Sequence, residues 1–266
     1  MNAPDLLDLG GQIAFVTGAG QGPGRAIALA FAQHGAGGIA VNDFDAARAE
    51  AVAAEIRALG IPALAAPADV GDHDAVQRSF ATAAKLGPVT LLVNNAGNAG
   101  PGVQMRPSPP FWETEPADWD RYLRTNLQGV MNCCHAALPG MTAQQRGRIV
   151  TIVSDAGRVG EARLAAYSAA KAGAAGFMRA IAREAGRYNI TANCISLSTL
   201  EPALDEPAKS DFMASEQAKA HVARYVIRRF GTADDVAAMA LFLCSDAAGW
   251  ITGQTYPVNG GYSFAT

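Results

Sequence analysis

Residues 17–24 read Thr17-Gly18-Ala19-Gly20-Gln21-Gly22-Pro23-Gly24, and this stretch decides the fold. It follows a short apolar run at 13–17, typical of a buried strand, and opens a helix-like stretch at 24–34. Glycines at such a turn allow a tight bend and let backbone N–H groups approach a phosphate, and the helix N-terminus adds partial positive charge. The sequence therefore predicts a dinucleotide-binding turn between a strand and a helix.

The glycines of this turn are spaced G-x-x-x-G-x-G, because Pro23 stands where the pattern G-x-G-x-x-G needs its last glycine. A tight turn that binds no ligand is the alternative interpretation. A phosphate-binding P-loop is disfavoured, because no Gly-Lys-Ser/Thr follows. The candidate cofactor-binding residues here are Gly18, Gln21, Gly22, Pro23 and Gly24.

Strand-like and helix-like stretches alternate along the rest of the chain, which predicts a parallel sheet covered by helices on both faces. We expect further strands at 38–43, 63–68, 89–94, 148–153 and 190–195, and an edge strand at 254–258 that tolerates Pro257. We expect further helices at 46–59, 72–85, 118–135 and 165–188, and a last helix that begins with Thr232 and Asp235 and ends near Cys244.

No linker, repeat or shift in composition divides the chain, so we expect one α/β domain over residues 1–266, a single-domain Rossmann-type doubly wound sheet. Two stretches lack a regular pattern. Residues 99–116 contain several prolines and are predicted to form a surface loop. Residues 197–230 are predicted to be an irregular excursion that acts as a substrate lid.

Composition and charge exclude several kinds of partner. The net charge of −3 and the lack of a Lys/Arg run disfavour nucleic acid, and the longest apolar stretch is too short to cross a bilayer. The four cysteines have no metal-ligand spacing, so we expect no metal site and buried free thiols in a reducing cytoplasm. The first eleven residues carry no basic side chain, which is unlike a targeting segment. These cysteines are Cys133, Cys134, Cys194 and Cys244.

Asp43, at the end of the second predicted strand, indicates the cofactor. It lies 19 residues after Gly24 (43 − 24), near the spacing at which a carboxylate accepts hydrogen bonds from an adenosine ribose. A 2′-phosphate would be repelled, and no arginine stands at Gln21 or Phe44 to compensate. The sequence therefore predicts NAD rather than NADP, with a plain loop aspartate as the alternative.

Tyr167 and Lys171 lie four residues apart on a predicted helix and hence on one face. A phenol exchanges protons poorly near neutral pH, but an adjacent ammonium and an oxidised nicotinamide both favour its ionised form and are expected to lower its pKa. The pair alone is weak evidence. Ser154, the glycine turn and the segment 94–97 each follow a predicted strand, so all are expected at one edge of the sheet.

With these motifs in order, the sequence resembles the short-chain dehydrogenase/reductase family from Gln12 to Tyr262. The resemblance implies hydride transfer between a nicotinamide and a secondary alcohol or ketone. It implies that Ser154 holds the substrate oxygen, that Tyr167 exchanges its proton, and that Asn126 positions a water in a relay through Lys171.

The resemblance also implies further cofactor contacts. Asp69 and Val70 are expected at the adenine, Asn94 is expected to stabilise the sheet, and Lys171 is expected at the nicotinamide ribose. The remaining candidates are Phe44, Asn95, Ala96, Gly97, Tyr167, Thr199 and Leu200. The sequence departs from the family pattern at two places. Leu197-Ser198 stands where the family commonly has Pro-Gly after the sixth strand, and Pro23 stands where the family usually has an aliphatic residue between two glycines.

The predicted substrate pocket is mainly apolar. Three arginines, Arg106, Arg158 and Arg163, are expected to be solvated rather than to bind a carboxylate or a CoA phosphate. The expected apolar walls come from the loops after the fourth, fifth and sixth strands, together with one polar residue, and comprise Gln104, Met105, Val159, Leu200, Leu204, Phe212 and Met213.

Several alternatives stay open at this point. The stretch 154–160 is similar to hydroxyacyl-CoA dehydrogenases of ring-compound degradation, and the whole chain is similar to 3-oxoacyl-carrier reductases. A catalytically silent NAD sensor and an NAD-dependent epimerase or dehydratase are the other possibilities. The resemblance further implies a homotetramer or homodimer, formed through the long helices before the fifth strand and after Tyr167.

Overall fold

The computed structural model describes residues 5–97, 109–202 and 204–264 of the chain. Seven strands form one sheet in the order β3-β2-β1-β4-β5-β6-β7, and every neighbouring pair is parallel. The strands are β1 (Ile13–Val16), β2 (Gly38–Val41), β3 (Ala63–Ala65), β4 (Val89–Asn94), β5 (Gly147–Ser154), β6 (Ile190–Leu197) and β7 (Thr255–Val258).

Helices cover both faces of the sheet because most of its central strands are buried along their length. One apolar cluster joins the sheet to α1, α2 and α10, and a second joins its other face to α3, α5 and α7. This confirms the predicted doubly wound α/β fold. The helices are α1 (Gly22–Gln33), α2 (Ala46–Ala58), α3 (His73–Ala83), α4 (Pro116–Leu123), α5 (Gly129–Gln144), α6 (Ala156–Val159), α7 (Ala165–Ala185), α8 (Ala208–Ala214), α9 (Glu216–Val222) and α10 (Ala233–Cys244).

The strand order reverses at β1, which pairs with β2 on one side and with β4 on the other. The chain crosses to opposite faces of the sheet on either side of this point, so a crevice is left beyond the carboxyl ends of the strands. The turn after β1, the end of β4 and the end of β5 all reach this crevice. The topology thus brings the predicted motifs to one edge of the sheet.

The helix predicted over 118–135 is wrong as a single element. The chain forms α4, then a π-helical turn at Arg124–Gln128, and then α5. Pro116 starts α4 because a helix tolerates proline in its first turn, where the missing N–H has no partner in the helix. A wider π turn displaces the side chains that follow it, which hydrophobic spacing does not reveal.

The excursion at 197–230 is also more regular than expected, because it contains α8 and α9. Ser215 explains the second of these helices, since its Oγ accepts a hydrogen bond from the Ala218 N–H at 3.1 Å. The short helix α6, directly after β5, was not predicted either. These helices place side chains over the crevice at positions that the sequence pattern did not assign.

The carboxyl-terminal elements confirm their predictions. Thr232 Oγ1 accepts from the Asp235 N–H at 3.2 Å, and the Asp235 carboxylate accepts from the Thr232 N–H at 2.7 Å, so α10 begins with a capping box. Pro257 lies in β7, which pairs only with β6 among the described strands. The four cysteines are buried free thiols. No helix in the described ranges is long and apolar enough to cross a membrane.

Candidate active site

A cavity of about 930 Å³ lies along the carboxyl ends of the strands. It runs from the glycine turn, residues 17–24, past β4 and β5 to the lid and the carboxyl-terminal segment. Most of the predicted cofactor residues line it: Gly18, Gln21, Gly22, Pro23, Asp43, Phe44, Asp69, Val70, Asn95, Ala96, Gly97, Tyr167, Lys171, Thr199 and Leu200.

Two glycines of the turn have different functions. Gly18 has φ of +60°, and a Cβ there would lie 2.9 Å from the Ala96 Cα, so only glycine fits between the turn and the end of β4. Gly24, which was also predicted to contact the cofactor, is not among the residues that line the cavity. A Cβ at Gly24 would lie 2.2 Å from the Gly18 carbonyl oxygen, so Gly24 allows α1 to pack against the turn.

The glycine turn is held by side chains at its two ends. Asn95 donates from Nδ2 to the carbonyl oxygens of Thr17 at 2.9 Å and Gly18 at 3.1 Å. The Thr17 hydroxyl in turn accepts from the N–H groups of Asn95 and Ala96, both at 2.9 Å.

At the start of α1, Gln21 makes no side-chain capping hydrogen bond, and the first turn of the helix holds no acidic residue. The first N–H groups of α1 therefore suit a phosphate.

Asp43 lies at the far end of the cavity and is almost fully buried. Its Oδ2 accepts from the Gly20 N–H at 3.1 Å, and its Oδ1 accepts from Arg48 Nη2 at 2.8 Å. Arg48 also donates to Gln21 at 3.2 Å and lies 4.7 Å above the centre of the Phe44 ring. The expectation that no arginine compensates here is therefore wrong, because the first turn of α2 brings Arg48 back to the carboxylate.

Asp69 and Val70, which were predicted to contact the adenine, line the cavity. Asp69 Oδ2 accepts from Arg124 Nη2 at 3.0 Å, while its Oδ1 accepts from the Gly71 N–H at 2.9 Å. Asn94 Nδ2 donates to the Thr151 hydroxyl at 3.2 Å, which ties β4 to β5 inside the sheet. Asn94 thus makes the kind of sheet contact that the resemblance implied.

Ser154, Tyr167 and Lys171 meet in the middle of the cavity. Ser154 is the last residue of β5, and its Oγ accepts from the Ala156 N–H at 3.2 Å. Tyr167 and Lys171 lie one turn apart on α7, with Lys171 Nζ 5.8 Å from the centre of the Tyr167 ring. The Lys171 ammonium donates to the Ile152 carbonyl at 2.8 Å, which fixes it against β5.

Burial is the largest influence on the pKa values of Tyr167 and Lys171. Burial raises the pKa of Tyr167 above its ordinary value, and a hydrogen bond with Ser154 acts in the opposite direction. Burial also lowers the pKa of Lys171 to about 8. The expected lowering of the Tyr167 pKa is therefore wrong for the polypeptide alone, because loss of hydration outweighs the hydrogen bond with Ser154.

Asn126 lies in the π-helical turn and is fully buried, so it does not itself line the cavity. Its Nδ2 donates to the Tyr122 carbonyl at 2.9 Å. A Cβ at Gly97 would lie 3.2 Å from Asn126 Oδ1 and 3.3 Å from Lys171 Nζ, so both polar atoms face the same small space. Asn126 thus lies beside Lys171, as the predicted water relay requires, and its catalytic role stays a prediction.

The segment 197–230 is held directly after β6 by hydrogen bonds to one buried tyrosine. The buried Tyr225 hydroxyl hydrogen-bonds to Ser198 Oγ at 2.6 Å, accepts from the Thr199 N–H at 3.1 Å, and lies 3.2 Å from His221 Nε2. The Thr199 hydroxyl is 2.9 Å from the same His221 nitrogen. A polar network therefore fixes the chain after β6 against α9.

The substrate end of the cavity is more polar than predicted. Of the expected apolar walls, Leu200 lines it, but Val159 and Leu204 are exposed, and Phe212 packs towards Phe230 with ring centres 6.1 Å apart. Met213 is half-buried and does not line the cavity. Gln104, Met105 and Arg106 lie outside the described residues.

Four polar side chains line the substrate end of the cavity, and we call this group the polar end: Glu161, His221, Arg224 and Tyr262. They come from the loop before α7, from the lid and from the carboxyl-terminal segment, three regions that hydrophobic periodicity does not connect. Arg158 is not solvated as expected, because it pairs with the buried Asp155 at 2.9 Å. Within the described ranges, no group of His, Cys, Asp and Glu side chains is arranged to hold a metal ion.

A phenol, a hydroxyl and a buried ammonium beside a dinucleotide-type turn define a nicotinamide-dependent oxidoreductase site. The sequence profile described as Enoyl-(Acyl carrier protein) reductase matches residues 18–263. The chain belongs to the short-chain dehydrogenase/reductase family. It is an oxidoreductase that transfers a hydride between a nicotinamide cofactor and a secondary alcohol or ketone.

Named relatives cover nearly the whole chain. The 3-oxoacyl-[acyl-carrier-protein] reductase FabG of Staphylococcus aureus strain Mu50 is 37% identical over 93% of this chain and 96% of its own. The (2S)-[(R)-hydroxy(phenyl)methyl]succinyl-CoA dehydrogenase subunit BbsD of Thauera aromatica is 37% identical over 95% of this chain and 96% of its own. The relatives thus include a carrier reductase and a CoA-ester dehydrogenase, the two kinds of enzyme that the sequence resembles.

Solved structures of the same fold carry different cofactors. A gluconate 5-dehydrogenase from Burkholderia cenocepacia J2315 in complex with NADP and tartrate has a TM-score of 0.86, 30% identity, and coverage of 98% of this chain and 99% of its own. A 7α-hydroxysteroid dehydrogenase complexed with NADH and 7-oxo glycochenodeoxycholic acid has a TM-score of 0.86, 33% identity, and 98% coverage of both chains. Family membership therefore leaves the choice between NAD and NADP open.

Proposed function

We propose that this enzyme is an NAD-dependent dehydrogenase or reductase in which Tyr167 exchanges the proton, Ser154 holds the substrate oxygen, and Lys171 and Asn126 support the proton path. One observation carries the proposal: Tyr167, Ser154 and Lys171 meet in a cavity whose other end holds the glycine turn and Asp43. In this arrangement the alcohol or ketone oxygen of the substrate would lie next to the Tyr167 hydroxyl.

The residues of the turn suit a dinucleotide. The uncapped N-terminus of α1 and the glycine at position 18 supply N–H groups and room for a pyrophosphate. Asp69 and Val70 would hold the adenine side, and Thr199 and Leu200 the nicotinamide side. When bound, the nicotinamide supplies or accepts the hydride.

The protein's own part in the reaction is proton transfer. In ketone reduction, the Tyr167 hydroxyl donates its proton to the substrate oxygen while the Ser154 hydroxyl donates a hydrogen bond to the same oxygen. In alcohol oxidation, the ionised Tyr167 accepts the hydroxyl proton. Lys171, held by the Ile152 carbonyl, favours the ionised phenol by its charge, and the space shared with Asn126 suits a water that reprotonates it.

Asp43 supports a preference for NAD, and Arg48 limits it. The Asp43 carboxylate is buried and held in place by the Gly20 N–H and by Arg48, so a 2′-phosphate would approach a fixed negative charge. Arg48 is also the cation that such a phosphate would seek. We therefore propose that NAD is preferred but that NADP is accepted weakly.

The substrate is proposed to be a small ketone, secondary alcohol or hydroxyacyl thioester. The thioester class is supported by the carrier and CoA substrates in the names of the relatives at 37% identity. Residues 197–230, anchored by Tyr225, are proposed to close over it as a lid. We further propose a cytoplasmic homotetramer or homodimer, for which the buried free thiols and the long helices α5 and α7 are the supporting features.

The proposal is tested by steady-state oxidation of NADH and of NADPH with matched ketones and 3-oxoacyl thioesters as substrates. The test variant is Ser154→Ala, and the control is Ser210→Ala, at an exposed position in the segment 197–230. We expect turnover with a higher kcat/KM for NADH, a loss of about 10²-fold or more in Ser154→Ala, and no change in Ser210→Ala. Cofactor binding without turnover of any compound would instead favour the silent sensor.

A further inference from the structure

The polar end contains one guanidinium that has no carboxylate partner among the described residues. Arg224 stacks on Tyr262, with its guanidinium carbon 4.7 Å from the ring centre, and donates a hydrogen bond to the Tyr262 hydroxyl. Among the residues that the structure describes, it forms no ion pair with a carboxylate. By contrast, Arg229 in the same segment pairs with Asp235 at 2.6 Å.

The neighbours of Arg224 hold it at the cavity. Tyr262 donates to Glu161 at 3.3 Å, so its hydroxyl bridges the two charged side chains. The segment that carries Tyr262 is fixed because Asn259 Nδ2 donates to the buried Asp155 at 2.7 Å. The guanidinium is thus placed by a side chain that is itself tied to the end of β5.

His221 forms a neutral wall beside Arg224. Its ring stacks on Phe230, with centres 5.5 Å apart, and its Nε2 is occupied by Thr199 and Tyr225. Burial first, and the Arg224 charge second, lower the pKa of His221. Arg224 therefore provides the positive charge of the polar end, and Glu161 provides the negative charge.

We propose that Arg224, held in place by the Tyr262 ring, binds a carboxylate on the substrate, so that the preferred substrates are oxo acids or hydroxy acids, free or as the second carboxylate of an acyl thioester. This inference rests on the proposed function and names its substrate class. A guanidinium matches a carboxylate with two parallel N–H groups. A doubly charged phosphate suits the site less well, because the Glu161 charge repels it and one cation does not neutralise it.

The test compares matched substrates that differ only in charge: 3-oxobutanoate, 4-oxopentanoate and 5-oxohexanoate against their primary amides, with dihydroxyacetone phosphate against dihydroxyacetone as the phosphate pair. The variants are Arg224→Gln, Glu161→Gln and a control, Lys219→Gln. Lys219 lies on α9, carries the same charge and is exposed, and it does not line the cavity. Calorimetric titration of each acid into the NAD⁺-loaded enzyme, which has no hydride to transfer to a ketone, gives a binding constant that does not depend on turnover.

We expect at least one acid to exceed its amide in kcat/KM by about tenfold or more, since a hydrogen bond to a charged group is worth about that factor. Arg224→Gln is expected to remove this preference through KM, with kcat changed less than about threefold, and to weaken calorimetric binding of the acid by a similar factor. Glu161→Gln is expected to strengthen acid binding, and Lys219→Gln to change neither quantity.

The proposal is overturned if the enzyme treats acids and amides alike, if Arg224→Gln and Lys219→Gln lose the preference equally, or if only the phosphate compound responds to Arg224→Gln. An enzyme that turns over no ketone would contradict the proposed function. In that case, acid binding that is weakened by Arg224→Gln still supports the carboxylate site, and acid binding that is unaffected overturns it.

Discussion

At the residue scale, the cofactor preference depends on two side chains that oppose each other. Asp43→Ser removes the buried carboxylate and leaves Arg48 free to meet a 2′-phosphate. We expect the ratio of kcat/KM with NADH to that with NADPH to fall by about tenfold or more. Asp45→Ser is the control, because Asp45 caps α2 outside the cavity and serine retains the cap. A ratio that falls equally in both variants would contradict the assignment to Asp43.

Lys171 gives a pH-dependent stability. Burial lowers its pKa to about 8 from an ordinary 10.5, so between these values the unfolded chain binds more protons at this site than the folded chain. The site's contribution to the free energy of unfolding therefore rises from pH 8 towards 10.5, by about 1 kcal/mol per pH unit at most, and is constant below pH 8. Urea unfolding of the wild type and Lys171→Met at pH 7 to about 10 checks this. A difference between the two proteins that stays constant over this range would refute it.

The meeting of Ser154, Tyr167 and Lys171 in one cavity could be predicted from the sequence, whereas the positions of Arg48 and Arg224 could not. Ser154 and Tyr167 follow from topology, since strand ends converge at one edge of the sheet. Arg48 reaches Asp43 because the first turn of α2 folds back towards the end of β2. Arg224 lies in the segment 197–230, whose packing against the cavity is not specified by any local sequence pattern. Residue type and spacing identified the chemistry, but not the charges that surround it.

At the element scale, capping fixes where α10 begins. The box formed by Thr232 and Asp235 is reinforced by Arg229, whose hydrogen bond to the Asp235 carboxylate holds the pKa of Asp235 well below its usual range. Thr232→Ala removes a cap and is expected to lower the free energy of unfolding by about 1 kcal/mol. Urea denaturation measures this loss, with Thr82→Ala, at a partly exposed threonine within α3, as a control expected to stay within about 0.5 kcal/mol. Equal losses in both variants would refute the role of the cap.

Element boundaries follow from the sequence where polar caps and apolar runs agree. The strands and helices of the first half lie within three residues of their predicted bounds. The helix predicted over 118–135 failed because a π turn interrupts it without proline or glycine inside the turn, and the turn buries Asn126 beside Lys171. Its position is decided by packing against α7, which is a tertiary contact.

At the scale of the whole molecule, the sheet order and its two apolar layers explain why most of the motifs reach one cavity. The fold could be predicted because alternating strands and helices allow few topologies. An irregular excursion at 197–230 could be predicted, but its helices and its polar face could not, since Ser198, Tyr225 and His221 interact through contacts made only in the folded chain.

Assembly gives a prediction at the same scale. Met131 is an exposed apolar side chain on α5, one of the two helices proposed to form an interface. We expect light scattering to give two or four times the chain mass of 27.5 kDa, and Met131→Asp to lower it. The control Leu59→Asp places the same charge at an exposed apolar position at the end of α2. A monomer in the wild type, or equal dissociation of both variants, would refute the proposed interface.

The central claim is that Tyr167 exchanges the substrate proton, and Tyr167→Phe tests it most directly. The measurement pairs turnover of the best ketone with the dissociation constant for NADH, and Tyr188→Phe, which changes a tyrosine outside the cavity, is the control. Loss of a positioned proton donor predicts a fall in kcat of about 10²-fold or more, with NADH binding unchanged. Turnover equal to that of the wild type would contradict the account.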